Sequence, residues 1–342
     1  MPKQKINTAE LDSREAQFNA LQAKYKDIKE PLTIEPVSPD DVLSLPGVSL
    51  NLLCGKDRGI RKGSIVHYWG PRGSLKTTLA LEAVREAQRK WPEKSTAYLD
   101  TEYRVDLHLA NKQVGVNTQH FDEDGVPRFL YRRPATAEDT WELIGDLAAS
   151  QQFSIIVLDS ATAMPGRAEL ESGEFTLGQV GAAARANSAG LRKYSHAIIS
   201  SGTILWIINQ TRITSVMPVV TIGPTGGNAL GFFTTHEFKC ERITREREDV
   251  HQDIQILSTK MKYTLGMREA RIPVMLGKGI NQEADIIQAA TEAGVVQRAG
   301  AYYKYMGEIL GQGLEKASEA LQANQQLRTE LTEQIYELAN DE

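Results

Sequence analysis

Residues 64–78 read Ser-Ile-Val-His-Tyr-Trp-Gly-Pro-Arg-Gly-Ser-Leu-Lys-Thr-Thr. An apolar run stops at Gly70, a short turn follows, and a helical pattern covers 77–90. A loop of the form G-x-x-x-x-G-K-[ST] in that strand–turn–helix setting cradles phosphate with backbone N–H groups and the helix N-terminus. Gly70, Pro71, Arg72, Gly73, Ser74, Leu75, Lys76, Thr77 and Thr78 are therefore the candidate cradle for a nucleoside triphosphate. Lys76 is expected to reach the β- and γ-phosphates, and the Thr77 hydroxyl to hold Mg²⁺. Leu75 departs from the pattern, which asks for glycine because glycine gives backbone freedom and leaves room for close approach. The plainer alternative is a chance Lys-Thr-Thr helix start.

Three further apolar runs, 96–99, 154–158 and 203–208, end on Asp100, Asp159 and Asn209-Gln210. Continuous apolar strands with polar C-terminal ends predict a buried, mostly parallel sheet of the α/β class. Ligands of such sheets bind at the carboxyl ends of the strands, so all these polar ends converge on one site. Asp159 sits where a Mg²⁺-organising aspartate belongs, with a helix cap beside Ser160 as the alternative. Glu102 is a candidate base for an attacking water, and the Gln210 amide a candidate sensor of the γ-phosphate. Segments 237–244, 254–263 and 272–276 read as further strands.

The remaining composition narrows the classes. Hydrophobic residues make up 41% and charged residues 24%, ordinary globular proportions that exclude wholesale disorder. No apolar run reaches the ~18 residues that cross a bilayer, and the first residues carry no apolar signal-peptide stretch. Cys54 and Cys240 lack metal-site spacing and are too few for a disulfide scaffold, so a reducing cytoplasm is expected. A net charge of −5 excludes nucleic-acid binding by bulk charge but not by a local basic groove. Near the N-terminus Leu11, Phe18 and Tyr25 recur every seven residues beside Leu21 and Ile28, one seam on a polar helix that must dock on its own domain or a neighbour. Residues 281–342 read as mostly helical around a glycine- and tyrosine-rich turn at 299–313, with a final stripe of Leu327, Leu331, Ile335 and Leu338.

Together these stretches resemble the RecA family of recombinases over nearly the whole chain. The carriers are Gly70-Pro71 with Lys76-Thr77-Thr78, Asp100-Thr101-Glu102, Val157-Leu158-Asp159-Ser160, Ile208-Asn209-Gln210-Thr211-Arg212 and Thr225-Gly226-Gly227-Asn228-Ala229-Leu230. The run from Arg298 to Gly313 adds a feature that generic ATPases lack. The resemblance implies an N-terminal oligomerisation helix in 1–37, a RecA-type P-loop ATPase core in 38–280 and a small α-rich (α+β) C-terminal domain in 281–342. It also implies a helical filament on single-stranded DNA that pairs it with a homologous duplex, exchanges strands, and hydrolyses ATP with Mg²⁺. Glu102 then matches the catalytic base, Asp159 the magnesium aspartate, Gln210 the glutamine linking γ-phosphate to DNA, and Asp106 an adenine contact. Lys260 and Lys262 match a pair that reaches the ATP of the adjacent subunit.

Two segments match the family's DNA-binding loops, 164–185 and 212–228, with a buried hairpin as the alternative for the second. Arg185, Arg192, Arg212, Val216, Met217, Gly226, Gly227 and Asn228 are the implied DNA contacts. Leu75 and Arg72 are more similar to phage or prophage UvsX-like recombinases, and Gly231 and Leu276 stand where the family carries a lysine and a tyrosine. These departures keep a weakly hydrolysing, ATP-dependent filament protein as the alternative function.

Overall fold

The apolar runs become strands in a computed structural model that describes residues 37–172, 181–215, 221–225, 227, 229–243, 251–262 and 269–341. In chain order these are β1 (Val42–Leu43), β2 (Ile60–Arg61), β3 (Ile65–Gly70), β4 (Ser95–Asp100), β5 (Phe129–Arg132), β6 (Phe153–Asp159), β7 (Ile204–Ser215) and β8 (Thr221–Pro224). They continue as β9 (His236–Arg242), β10 (His251–Met261), β11 (Glu269–Met275), β12 (Gly279–Ile280), β13 (Gln297–Ala299), β14 (Tyr302–Tyr305) and β15 (Glu308–Gln312). The main helices are α1 (Val48–Leu53), α2 (Lys76–Lys90), α3 (Ala137–Ala149), α4 (Ala182–Ser201), α5 (Gln282–Glu292), α6 (Gly313–Ala323) and α7 (Gln325–Asp341). The expected N-terminal helix falls in 1–36, outside the described residues.

The large sheet runs β12-β11-β10-β9-β3-β7-β6-β4-β5, with β8 folded back on β7. Every pairing from β9 to β5 is parallel. The pairings among β9, β10, β11 and β12 are antiparallel. Hydropathy explains the division. Strands β3 and β4 are buried at every position, as strands covered on both faces must be, whereas β9 alternates buried and half-buried residues. Alternation along β6 then sorts the core. Ile155 and Val157 pack with Leu79, Ala83 and Val84 of α2, while Ile156 and Leu158 pack with Trp141 and Ile144 of α3 and Leu191 and Ile198 of α4. Among the described residues no helix is long and apolar enough to cross a membrane.

The C-terminal part is the expected α+β unit, but the stretch expected as a turn is largely strand. The 299–313 turn is a three-stranded antiparallel meander, β13-β14-β15. Its hairpin turns take two residues each, Gly300-Ala301 and Met306-Gly307, and Gly300, Met306 and Gly307 all have positive φ. Tight two-residue hairpins favour that geometry, and it makes so short a glycine-rich stretch a sheet rather than a loop. Tyr303 and Tyr305 point inward and join Ile286, Leu321, Leu331 and Ile335 in one core with Val48 and Leu52 of α1.

Candidate nucleotide and DNA site

Three parallel strand ends meet at the start of α2. Gly70 closes β3 against the neighbouring strand, where a Cβ would lie 2.1 Å from the Cys240 carbonyl oxygen, so only glycine fits. Leu75, the N-cap of α2, holds φ 57° and ψ 25° in the left-handed region. The pattern's glycine is replaced, but the backbone conformation glycine would supply is retained, and the Leu75 side chain packs partly against the main core. Lys76 is buried, and its Nζ donates to the carbonyls of Gly70 (3.0 Å) and Pro71 (2.7 Å). Burial holds its ammonium below the ordinary lysine range.

The Thr77 hydroxyl and the Tyr98 hydroxyl both donate to Oδ2 of Asp159, at 2.7 and 2.8 Å. Burial outweighs these two bonds and raises the Asp159 carboxyl above its ordinary value. A buried carboxylate beside a threonine hydroxyl offers the hard oxygen donors that Mg²⁺ takes. The peptide bond after Asp159 is cis. A buried ammonium, a backbone cradle and this oxygen pair fit a triphosphate with its magnesium ion.

Glu102 faces the same cavity, which holds about 260 Å³ and is also lined by Lys76, Thr77, Asp159 and Gln210. Its Oε1 accepts from the Ser160 hydroxyl (2.8 Å) and from Nε2 of Gln210 (2.7 Å). Its Oε2 lies 3.4 Å from the Arg104 guanidinium. Arg104 is not among the candidates that the sequence offers; its position two residues after Glu102 is the one sequence signal, and a weak one. Tyr98 was also missed, although it sits in the run that ends on Asp100. Gln210 reaches further: its backbone carbonyl accepts both the N–H and the hydroxyl of Thr225, each at 2.9 Å.

The remaining candidates divide. Asp106 caps the short helix Leu107–Leu109 by accepting from the N–H groups of His108 and Leu109 and does not line the cavity with Lys76. Lys260 donates to the carbonyls of Gly231 and Phe232, and Lys262 to that of Phe232. Neither lysine lines the P-loop cavity of its own chain.

The segment 164–185 is not loop throughout, since Arg167–Ser172 is helical and Arg185 lies in the first turn of α4. Arg192 follows on the same helix, seven residues on and thus about 10 Å along it. Both arginines are exposed, as is Arg212 near the end of β7. The second segment is a hairpin at its base, where β7 and β8 pair, yet Ile222 is 54% exposed and the hairpin is not buried there. A Cβ at Gly227 would lie 3.1 Å from that of Ala184, so residue 227 sits beside the start of α4. Arg212 and Thr225 line one cleft with Ala182 and Ala184. Val216, Met217, Gly226 and Asn228 lie outside the described residues.

Two family models match the chain: one described as the RecA N-terminal domain over residues 34–281, and one as the RecA C-terminal domain over 284–340. The chain is 33% identical over 345 residues to Protein RecA of Wolbachia sp. subsp. Brugia malayi, covering 98% of this chain and 92% of that one. It is 35% identical to Protein RecA of Syntrophobacter fumaroxidans, covering 87% and 84%. It is 34% identical to Protein RecA of Acidothermus cellulolyticus, covering 89% and 85%.

Proposed function

The chain belongs to the RecA family, and from that premise we propose that it is an ATP-dependent recombinase that assembles on single-stranded DNA, pairs it with a homologous duplex and exchanges strands. The observation that carries the reading is the position of Gln210. Its side chain holds Glu102 in the nucleotide cavity while its backbone holds Thr225 at the edge of the second DNA segment. One residue thus touches the base that would activate water and the element that would meet DNA.

Each side chain then has a task. Lys76 leaves its loop carbonyls for the β- and γ-phosphates. Thr77 and Asp159 would hold the magnesium ion, which would neutralise charge on the phosphates. Glu102 orients the attacking water and takes its proton. Arg185, Arg192 and Arg212 contact DNA phosphates, with backbone N–H groups near Gly226 and Gly227 adding contacts that need no net positive charge. Lys260 and Lys262 serve the nucleotide of an adjacent subunit in a head-to-tail filament, an assembly that results when a heterologous contact does not close. Phe232, whose carbonyl both lysines hold, is 75% exposed and offers an apolar contact for that neighbour. A phage or prophage source belongs to the same proposal and rests on Leu75 and Arg72.

A second reading, a filament that hydrolyses ATP weakly, is favoured by the engagement of both Glu102 oxygens by Ser160, Gln210 and Arg104. Steady-state ATP hydrolysis with and without single-stranded DNA separates the two. The recombinase reading expects strong stimulation by DNA and its loss in Lys76→Ala. ATP-dependent DNA binding with negligible turnover supports the second reading. Turnover unchanged in Lys76→Ala overturns the P-loop assignment.

A further inference from the structure

The chain after β4 makes a sharp excursion. Tyr103 adopts φ 59°, a conformation few non-glycine residues take. The Arg133 guanidinium lies 5.7 Å from its ring centre, and the following Val105 N–H bonds Oδ2 of Asp100 at 2.9 Å. Between these two anchors Arg104 is directed onto the P-loop cavity, which it lines together with Lys76, Thr77 and Glu102. The excursion thus sets a second cation on the wall of the cavity that the cradle also lines.

The contact Arg104 makes there is a provisional one. Its guanidinium is 3.4 Å from Oε2 of Glu102 while its own side chain remains 66% exposed. Exposed ion pairs of that length contribute little and exchange readily. Arginine's planar fork matches phosphate oxygens better than a single carboxylate oxygen at that distance. A terminal phosphate beside Glu102 would offer Arg104 more charge and better geometry than Glu102 does.

We propose that Arg104 is a ligand of the terminal phosphate, supplied by the same chain that supplies the P-loop, and that it rests on Glu102 until a triphosphate arrives. Its transfer to the phosphate does two things. It adds a positive charge where charge develops during phosphoryl transfer. It also frees Oε2 of Glu102 for the attacking water, which explains how a base with both oxygens engaged still acts. This inference rests on the reading of the cavity as an ATP site.

The test compares affinities of the full-length protein for Mg²⁺-ADP and for a Mg²⁺-bound, non-hydrolysable β,γ-imido ATP analogue by titration calorimetry. Wild type, Arg104→Ala and Arg104→Lys are measured. Arg104→Ala is expected to weaken the triphosphate analogue about tenfold, one charge-assisted contact's worth, and to leave ADP within about twofold. Arg104→Lys keeps the charge without the fork and falls between. Equal triphosphate affinity in wild type and Arg104→Ala overturns the proposal and leaves the ATP site intact. Equal weakening of both nucleotides also overturns it. A wild-type protein that binds neither nucleotide overturns the ATP reading and this inference with it.

Discussion

Gln210 Nε2 donates to Glu102 Oε1 across 2.7 Å, so the middle of β7 and the segment after β4 share one hydrogen bond at the cavity that Lys76 and Thr77 line. The same glutamine's carbonyl anchors Thr225. Removing the side chain leaves the backbone anchor in place and cuts only the link to Glu102. Gln210→Ala is therefore expected to bind nucleotide normally and to lose about 5–150-fold in DNA stimulation, the usual range of a coupling between two sites. DNA-stimulated turnover unchanged in this variant would remove Gln210 from the path.

Glu102→Gln keeps the hydrogen bonds to Oε1 and removes the base. Turnover is expected to fall about 10²–10⁴-fold, the contribution of one general base, while ATP-dependent DNA binding is retained. Filter binding and phosphate release measured on one preparation check both halves.

Leu75 holds a left-handed backbone and a partly buried side chain at once. Leu75→Ala loses the packing and keeps the strain, whereas Leu75→Gly loses the packing and relieves it. The glycine variant is expected to be more stable than the alanine variant by about 1 kcal/mol in urea unfolding. The opposite order would show that this conformation carries no strain.

Glu82 lies buried in α2, where its Oε1 accepts the Ile280 N–H at 2.9 Å. Burial pushes its carboxyl up from 4.5 to about 7, against the Ile280 bond and the nearby Arg85. The folded chain thus keeps a proton that the unfolded chain releases from pH 4.5 upward. This contribution is full below pH 4.5 and lost as pH rises through 7. Glu82→Gln is expected to remove that slope and to exceed wild type at pH 8 by about 3 kcal/mol, at ~1.4 kcal/mol per pH unit. Asp285, raised to about 6 by burial, adds the same slope to both proteins, so their difference across pH 5 to 8 isolates Glu82. Parallel urea midpoints of the two proteins across that interval would contradict the assignment.

The site was legible where an apolar strand delivers a polar residue at its C-terminal end. Asp159 ends one such run and Gln210 follows another, Lys76 opens the helix that follows a third, and the structure brings all three around one cavity with Glu102. Arg104 was not legible, because its approach depends on the positive φ of Tyr103, which no local signal announces. Strand β5 is not legible because it is a four-residue edge strand, Phe-Leu-Tyr-Arg, with one buried side chain. The β13–β15 meander reads as a turn because glycines at 300, 307, 311 and 313 interrupt its short apolar stretches, although Gly300 and Gly307 make its hairpins. The resemblance assigns Arg185 to a loop, whereas the structure puts it in the first turn of α4, which takes its inward stripe from Asn187, Gly190, Leu191 and Ile198 further along.

Strand exchange between circular single-stranded DNA and a homologous linear duplex, with ATP and Mg²⁺, tests the central claim most directly. The account predicts joint molecules that require homology and ATP and that vanish in Lys76→Ala. ATP hydrolysis without any homology-dependent joint molecules would contradict it.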